Sequence, residues 1–429
     1  MDSTPLRHRW IRPRLVALGL ALASALAAQP EPALPADAPA ATRSSLVAFE
    51  RLTLIAAPGL RAARERLAAA EARLAGRGHL PDPMLEVEVM DALPTGGRPL
   101  DVRPMVRQPL PGRGKRAAER AVAAAEIEVA RAELALAERM LLAELRAAWA
   151  EHWRAERERT LLGEAHEAMD LLVADADARL AGGAGSLGEA LAARRRLRRH
   201  ELEMEDADAA FLIAVSRLAE LVGSEPPPAM PHGVELGAMP LPDLDLAAAV
   251  AADPRLAVAE ARAALAAERL AAIRLERRPD WAVAAGLRAM EGDTTELIVG
   301  VGVELPILRR RRVEPEIAAA ERELAAVRAE ADLVRRASRG ELERLYAERF
   351  RLEARSRRLA QGLIPELVAG FEVERAALAG GDGALDRAAM LLEEHFVVRL
   401  ELERVRAALF TVGGRFLFYL PNDPDGGSR

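Results

Sequence analysis

A chain of 429 residues could hold two or three ordinary domains, yet only 3% of it is aromatic, and Ala, Leu, Arg and Glu dominate, which points to long helices. Lys+Arg 60 against Asp+Glu 66 leaves a formal net charge of -6, so no overall basic excess is available to hold nucleic acid. Cysteine is absent, which excludes disulfides, thiolate metal sites, a Cys nucleophile and a lipidated N-terminal cysteine.

Residues 1–27 read as a secretory signal peptide. Arg7, Arg9, Arg12 and Arg14 form a basic region, an apolar run follows from Leu15 to Ala28, and Ala25-Leu-Ala27 offers a cleavage site. The run falls short of the roughly 20 residues that a membrane-spanning helix needs, which leaves an uncleaved inner-membrane anchor as the lesser alternative. Residues 28–43, rich in Pro and Ala, form a linker.

A first structural repeat occupies 44–222. A helix runs from Ser44 or Ser45 to about Ala75 and is stopped by Gly76 and Gly78. Leu80-Pro-Asp-Pro83 leads into a strand at about 84–91, where Leu85, Val87 and Val89 alternate with Glu86 and Glu88. After the turn Pro94-Thr-Gly-Gly-Arg-Pro99 comes a second strand at about 100–108. It contains Pro104, which cannot donate to a ladder and belongs at an edge or bulge. A helix at about 111–181 spans on the order of 100 Å at 1.5 Å per residue, a rod that no compact domain requires. Gly182-Gly-Ala-Gly-Ser186 breaks it, and a shorter helix extends from Leu187 to about Val222.

The prolines from Pro226 to Pro242 mark a linker at 223–252, after which the order of elements starts again at 253–420. Asp253-Pro254 opens a helix reaching about Arg277, and Pro279-Asp280 stops it. Strands follow at about 281–290 and 296–305, around Glu291-Gly-Asp-Thr-Thr295. In the second of these, Leu297, Val299, Val301, Val303 and Leu305 fall on one face and Ile298, Gly300, Gly302 and Glu304 on the other. Such a hairpin is marginal alone, so something outside it must complete its sheet. A second rod at about 314–379 carries Ile317, Leu324, Ala331, Ser338, Leu345, Leu352 and Leu359 seven apart, a coiled-coil spacing that Ser338 weakens. Gly380-Gly-Asp-Gly383 interrupts the rod, a last helix runs from Ala384 to about Phe410, and 421–429 is a tail.

Four strands per chain cannot close a barrel around a channel, so several chains must share one if the strands enter a membrane. No catalytic constellation is present. Gly112-Arg-Gly-Lys115 lacks the first Gly and the Ser/Thr of a phosphate-binding loop, no His spacing suits a metal, and the helical carboxylates have Arg partners three or four positions away. The sequence thus points to no catalytic, cofactor-binding or metal residues and to no cofactor. The basic run Arg309-Arg-Arg-Arg312 follows the second hairpin as Arg113, Lys115 and Arg116 follow the first; attraction to anionic groups at a membrane surface and pairing with a neighbouring acidic helix explain them equally.

The local motifs become specific in their order. Leu80-Pro-Asp-Pro83 enters the first hairpin, Arg107-Gln-Pro-Leu-Pro-Gly-Arg-Gly-Lys-Arg116 leaves it, and Val303-Glu-Leu-Pro-Ile307 leaves the second; glycine-centred turns sit within Arg179 to Leu191 and Leu378 to Leu385, with Leu363-Ile-Pro365 upstream of the latter. With these, the chain resembles the TolC-type outer-membrane efflux proteins, the outer-membrane factors of tripartite efflux systems, and loosely their compact heavy-metal efflux members. The likeness covers about Ser44 to Leu420. It implies a mainly α fold with a small β part, built from a duplicated helix-strand-strand-long helix-helix repeat. Three chains would form a twelve-stranded outer-membrane β-barrel continued into the periplasm by an α-helical coiled-coil barrel. The partners implied are two further copies, a periplasmic adaptor protein, an inner-membrane pump and outer-membrane lipid, and the function implied is a passive duct for solutes or metal ions.

The resemblance also places Gly182, Gly183, Gly185, Ser186, Gly380, Gly381 and Gly383 at the periplasmic tip, in contact with the adaptor, although plain loops would use the same residues. Asp382 and Asp386 are the candidates for an acidic ring at the entrance; a solvated loop or a helix N-terminal charge explains them more simply. The alternative class is a periplasmic coiled-coil scaffold or adaptor that never spans the membrane, a reading that leaves the alternating hairpins without a use.

Overall fold

Helix-forming residues dominate the sequence and helices dominate the fold. The computed structural model describes residues 38–90, 101–223, 236, 245–290, 294–304, 309–380 and 384–420. In chain order they form helices α1 (Ala38–Ala56) and α2 (Pro58–Gly76), strands β1 (Met84–Met90) and β2 (Asp101–Leu110), and helices α3 (Lys115–Ala181) and α4 (Leu187–Val222). There follow α5 (Leu246–Ala251), α6 (Pro254–Leu275), strands β3 (Asp280–Met290) and β4 (Thr294–Glu304), α7 (Arg309–Arg358), a π-helical turn (Leu359–Leu363), α8 (Ile364–Gly380) and α9 (Leu385–Leu417). The signal segment, most of both linkers, Leu305 and the tail lie outside the described residues.

The chain divides into two compact units. The first comprises α1, α3 from Met140 onward, α4, α7 from Glu341 onward, the π turn, α8 and α9. Small side chains let its helices approach closely: Ala165, Ala168, Ala176, Ala190, Ala193, Ala388 and Ala389 form most of one core, and Leu172, Phe371, Leu392 and Phe396 fill the space between them. A second core contains four aromatic residues, Phe49, Trp149, Trp153 and Phe410. Phe49 of α1 meets Trp149 of α3 edge to face at 4.9 Å, beside Trp153, Leu218 and Phe410.

The second unit comprises α2, α3 up to Arg139, α5, α6, the sheet and α7 up to Gly340. Leu270 of α6 packs with Val313, Ile317, Ala320 and Leu324 of α7. All seven heptad positions named above, from Ile317 to Leu359, are buried, Ser338 included. Its hydroxyl bonds the fully buried Asp253 carboxylate and the Val334 carbonyl, so the break in the apolar seam is a satisfied polar contact to the N-cap of α6.

The sheet is antiparallel throughout, in the order β1-β2-β3-β4. Leu85 lies opposite Val106, Val106 opposite Ala285, and Ala285 opposite Val299, so one register runs across both hairpins. Pro104 is accommodated because the β2–β3 ladder begins at Met105; at Pro104, β2 pairs only with Val87 of β1.

Three local features depart from the sequence reading. The helix expected from Ser44 to Ala75 is broken at Ala57, because Pro58, with no N–H to donate, starts α2. The second rod begins at Arg309 rather than near Glu314, with Pro315 tolerated inside α7. That rod also carries the π turn, in which the Ile364 N–H bonds the Leu359 carbonyl. Pro365 follows directly and has no N–H to continue an α-helical ladder.

Candidate functional site

Alternation and register separate the sheet into two unlike faces. One carries Leu85, Val87, Val89, Val102, Val106, Trp281, Val283, Leu287, Leu297, Val299, Val301 and Val303, and these side chains are 41–71% exposed. A contiguous apolar face left this open marks an interaction surface. The opposite face holds small residues, Ala282, Ala284, Gly300 and Gly302, together with charges of both signs: Arg107 bonds Glu86 at 3.3 Å, and the register sets Glu88 opposite Arg103 and Arg288 opposite Glu296. Among the described residues, β1 and β4 each pair with one strand only, so both edges offer unpaired backbone groups. No described helix is long and apolar enough to cross a membrane.

The sheet is fastened where helix meets strand. Lys115, 7% exposed, reaches the Asp280 carboxylate at 2.9 Å and Glu276 at 3.3 Å. Asp280 also accepts from the Gly112 N–H at 2.8 Å. A Cβ on Gly112 would stand 2.6 Å from the Pro279 carbonyl, so glycine is required there by close approach. Sequence reasoning rejected Gly112 to Lys115 as a phosphate loop and left Lys115 equally open to membrane anions and to a neighbouring acidic helix; the partners it could not name were Glu276 and Asp280, more than 160 positions away.

In the first unit, α3 and α4 are joined by the five residues proposed for a tip. Gly183 has φ 73° and its N–H bonds the Leu180 carbonyl, while the Ala184 N–H bonds the Arg179 carbonyl, which together form a Schellman cap. Gly185 is tightly placed, since a Cβ there would lie 3.0 Å from that of Arg179. Gly182 has only ordinary contacts. Ser186 caps α4 by a reciprocal box: its hydroxyl accepts from the Glu189 N–H, and the Glu189 carboxylate accepts from the Ser186 N–H, both at 3.2 Å. Gly380 ends α8; Gly381, Asp382 and Gly383 lie outside the described residues.

Asp386, in the first turn of α9, pairs with Arg196 of α4, and Arg196 also reaches Glu393 at 3.3 Å. The candidate entrance acid is therefore joined to the neighbouring hairpin. Asp175 of α3 has its pKa raised by burial, against the pull of Arg179. Burial, helped by the charge of Arg399, pushes the His395 pKa down to about 4, and the His395 Nδ1 has no hydrogen-bond partner. Burial also lowers His152. Among the described residues no group of three or more His, Asp or Glu is arranged to hold a metal. An open cavity of about 620 Å³ in the second unit is lined by Leu246, Val250 and Leu256 together with Asp245, Glu260, Arg335, Arg336 and Arg339.

No family model and no curated protein matches the chain. Solved structures do match. A crystal structure of CusC, described for folding and transmembrane channel formation, superposes with a TM-score of 0.76 at 14% identity, over 87% of this chain and 91% of that one. The outer membrane protein VceC of Vibrio cholerae gives 0.74 at 17% identity, over 88% and 96%. The open state of the Neisseria gonorrhoeae outer membrane channel MtrE gives 0.73 at 15%, over 87% and 88%. The chain has the fold of these outer-membrane channels.

Proposed function

We propose that this chain is a TolC-type outer-membrane factor, one third of a trimeric duct through which a tripartite system exports solutes or metal ions. The observation that carries the proposal is the sheet: four strands with a continuous apolar face, a charged inner face and two open edges. Four strands cannot enclose a pore, and an open edge in hydrocarbon leaves backbone groups unsatisfied, whereas three copies pairing edge to edge supply twelve strands and no edge. Strands of up to 11 residues match the length of a tilted spanning strand. The likeness to solved outer-membrane channels supports the same reading.

On this reading the α-helical units continue the pore into the periplasm as a coiled-coil barrel. The turns at Gly182 to Ser186 and Gly380 to Gly383 meet the periplasmic adaptor, and Asp382 and Asp386 stand near the entrance. The duct is passive; an inner-membrane pump supplies the energy and selects the cargo. Residues 1–27 direct export, and the two repeats, 44–222 and 253–420, each contribute one hairpin to the barrel. Fractionation tests the proposal: the chain should be recovered in the outer membrane as a trimer that SDS dissociates. Recovery solely as a soluble periplasmic monomer would favour the scaffold reading and end this one.

A further inference from the structure

We propose that the foot of the sheet is a binding surface for the anionic headgroups of phospholipids, which seats the barrel at the periplasmic face of its membrane; this rests on the membrane reading above. Four segments meet there. The Arg116 Nε donates to the Gly78 carbonyl at 2.7 Å, the Gln108 side chain to the Pro81 carbonyl at 2.7 Å, and Arg278 to the Arg113 carbonyl at 2.6 Å. Arg277 pairs with Glu314 at 3.2 Å. These contacts bring 77–83, 111–120, 276–280 and the start of α7 together, and with 309–316 they hold eleven basic and six acidic residues in a chain whose net charge is -6.

Half of the acidic residues are committed, Glu276 and Asp280 to Lys115 and Glu314 to Arg277. Asp82, Glu119 and Glu316 are the others. By contrast Arg77, Arg113, Arg120, Arg311 and Arg312 are exposed, and among the described residues none of them has an acidic partner.

Two independent features name the occupant. Helices α3 and α7 both start here with no acidic residue in the first turn, and α7 opens Arg309-Arg-Arg-Arg312. Basic groups at a helix N-terminus oppose its dipole, whereas an anion placed there satisfies both. Helices α4, α8 and α9 do the reverse, with Glu189, Glu366 and Asp386 in their first turns. In addition, the apolar face ends at this foot in Leu110, Trp281 and Val303, which pair across β2, β3 and β4. Trp281 at the rim of the apolar face lies opposite Leu110, with the exposed Arg113 three residues further on, an order that matches the chemistries met on leaving hydrocarbon through a phosphate layer.

Flotation tests the proposal. The purified full chain is incubated with phosphatidylcholine vesicles, with or without phosphatidylglycerol, across a salt series. Beside it are tested a variant with Arg113, Arg120, Arg311 and Arg312 changed to Gln, and one with the same four changed to Lys. Phosphatidylglycerol should strengthen binding of the natural chain roughly tenfold or more at low salt. The Gln variant should lose this gain, the Lys variant keep it, and all three float alike on neutral vesicles. A natural chain indifferent to phosphatidylglycerol, or a Gln variant that retains the preference, overturns the proposal. So does loss of the preference on adding inorganic phosphate at matched ionic strength, which would assign the arginines to the free ion. A chain that floats with neither kind of vesicle sinks the membrane reading itself, which loss of the preference alone leaves standing.

Discussion

Lys115, the only lysine in the chain, lies 2.9 Å from the carboxylate of Asp280, 165 positions away in sequence. Lys115 opens α3 just beyond β2, and Asp280 opens β3 just beyond α6, so the pair joins the two hairpins at their common foot. Removing the buried lysine leaves the half-buried Asp280 without its cation. Lys115→Met should therefore destabilise the chain by about 1–2 kcal/mol in urea denaturation. Asp280→Asn should cost less, because its amide oxygen can still accept from the Gly112 N–H. A Lys115→Met variant within about 0.5 kcal/mol of the natural chain would show that the pair does not hold the junction.

The glycines between α3 and α4 divide by backbone rather than by composition. Gly183→Ala forces a Cβ into φ 73° and should cost about 1 kcal/mol. Gly182 has a negative φ and room for a Cβ, so Gly182→Trp should fold normally while blocking an adaptor that docks on this turn. Melting curves set beside efflux assays separate the two: equal loss of efflux and stability in Gly182→Trp would count against a docking role.

The helical class and the small sheet were legible because both periods are written plainly, three to four residues along the rods and two along β4. Part of what escaped was set by long-range partners, part by local backbone. Ser338 read as a flaw in the heptad because its acceptor, Asp253, lies 85 positions away. The break at Ala57 escaped because the apolar pattern runs on across Pro58, and the π turn because Leu359 to Leu363 contains nothing that an α-helix excludes. At the proposed tip, the capping box of Ser186 and Glu189 is a local motif visible in sequence. The partner of Asp386 is not, since Arg196 belongs to the other hairpin.

His395 makes stability depend on pH. Its unfolded value is near 6.5 and its folded value about 4, so the unfolded chain takes up a proton first as pH falls. Stability is unaffected above pH 6.5 and declines between 6.5 and 4, reaching a loss of about 2 kcal/mol by pH 5. His152, lowered for the same reason, adds in the same direction. Urea midpoints at pH 7 and pH 5 should therefore differ clearly in the natural chain and less in His395→Leu; an unchanged difference would mean that other groups set the acid response.

The ion pair of Arg196 and Asp386 ties α4 to α9 within the first unit, with Glu393 as second acceptor. The Asp386 carboxylate is 68% exposed, so the pair contributes little to stability. Its effect on the duct should be larger. Asp386→Asn is expected to leave the melting temperature within a degree or two while raising single-channel conductance in planar bilayers, because the two hairpins lose a tether beside the proposed entrance. Conductance equal to that of the natural chain would remove this pair from any gating role.

Val301 stands mid-strand on the apolar face of β4, 70% exposed and opposite Val283. In water an arginine there is harmless, and it would even relieve an exposed apolar patch. In hydrocarbon it costs about 2–4 kcal/mol at the bilayer midplane, and three copies sharing one barrel would bear that cost three times. Val301→Arg should accordingly deplete the chain from the outer membrane and abolish the trimer. Arginine at Gly300, one position earlier on the charged face, should be tolerated far better because it meets the water-filled interior. Outer-membrane fractionation of the two variants reads the difference directly, and equal depletion of both would mean that the apolar face does not meet lipid.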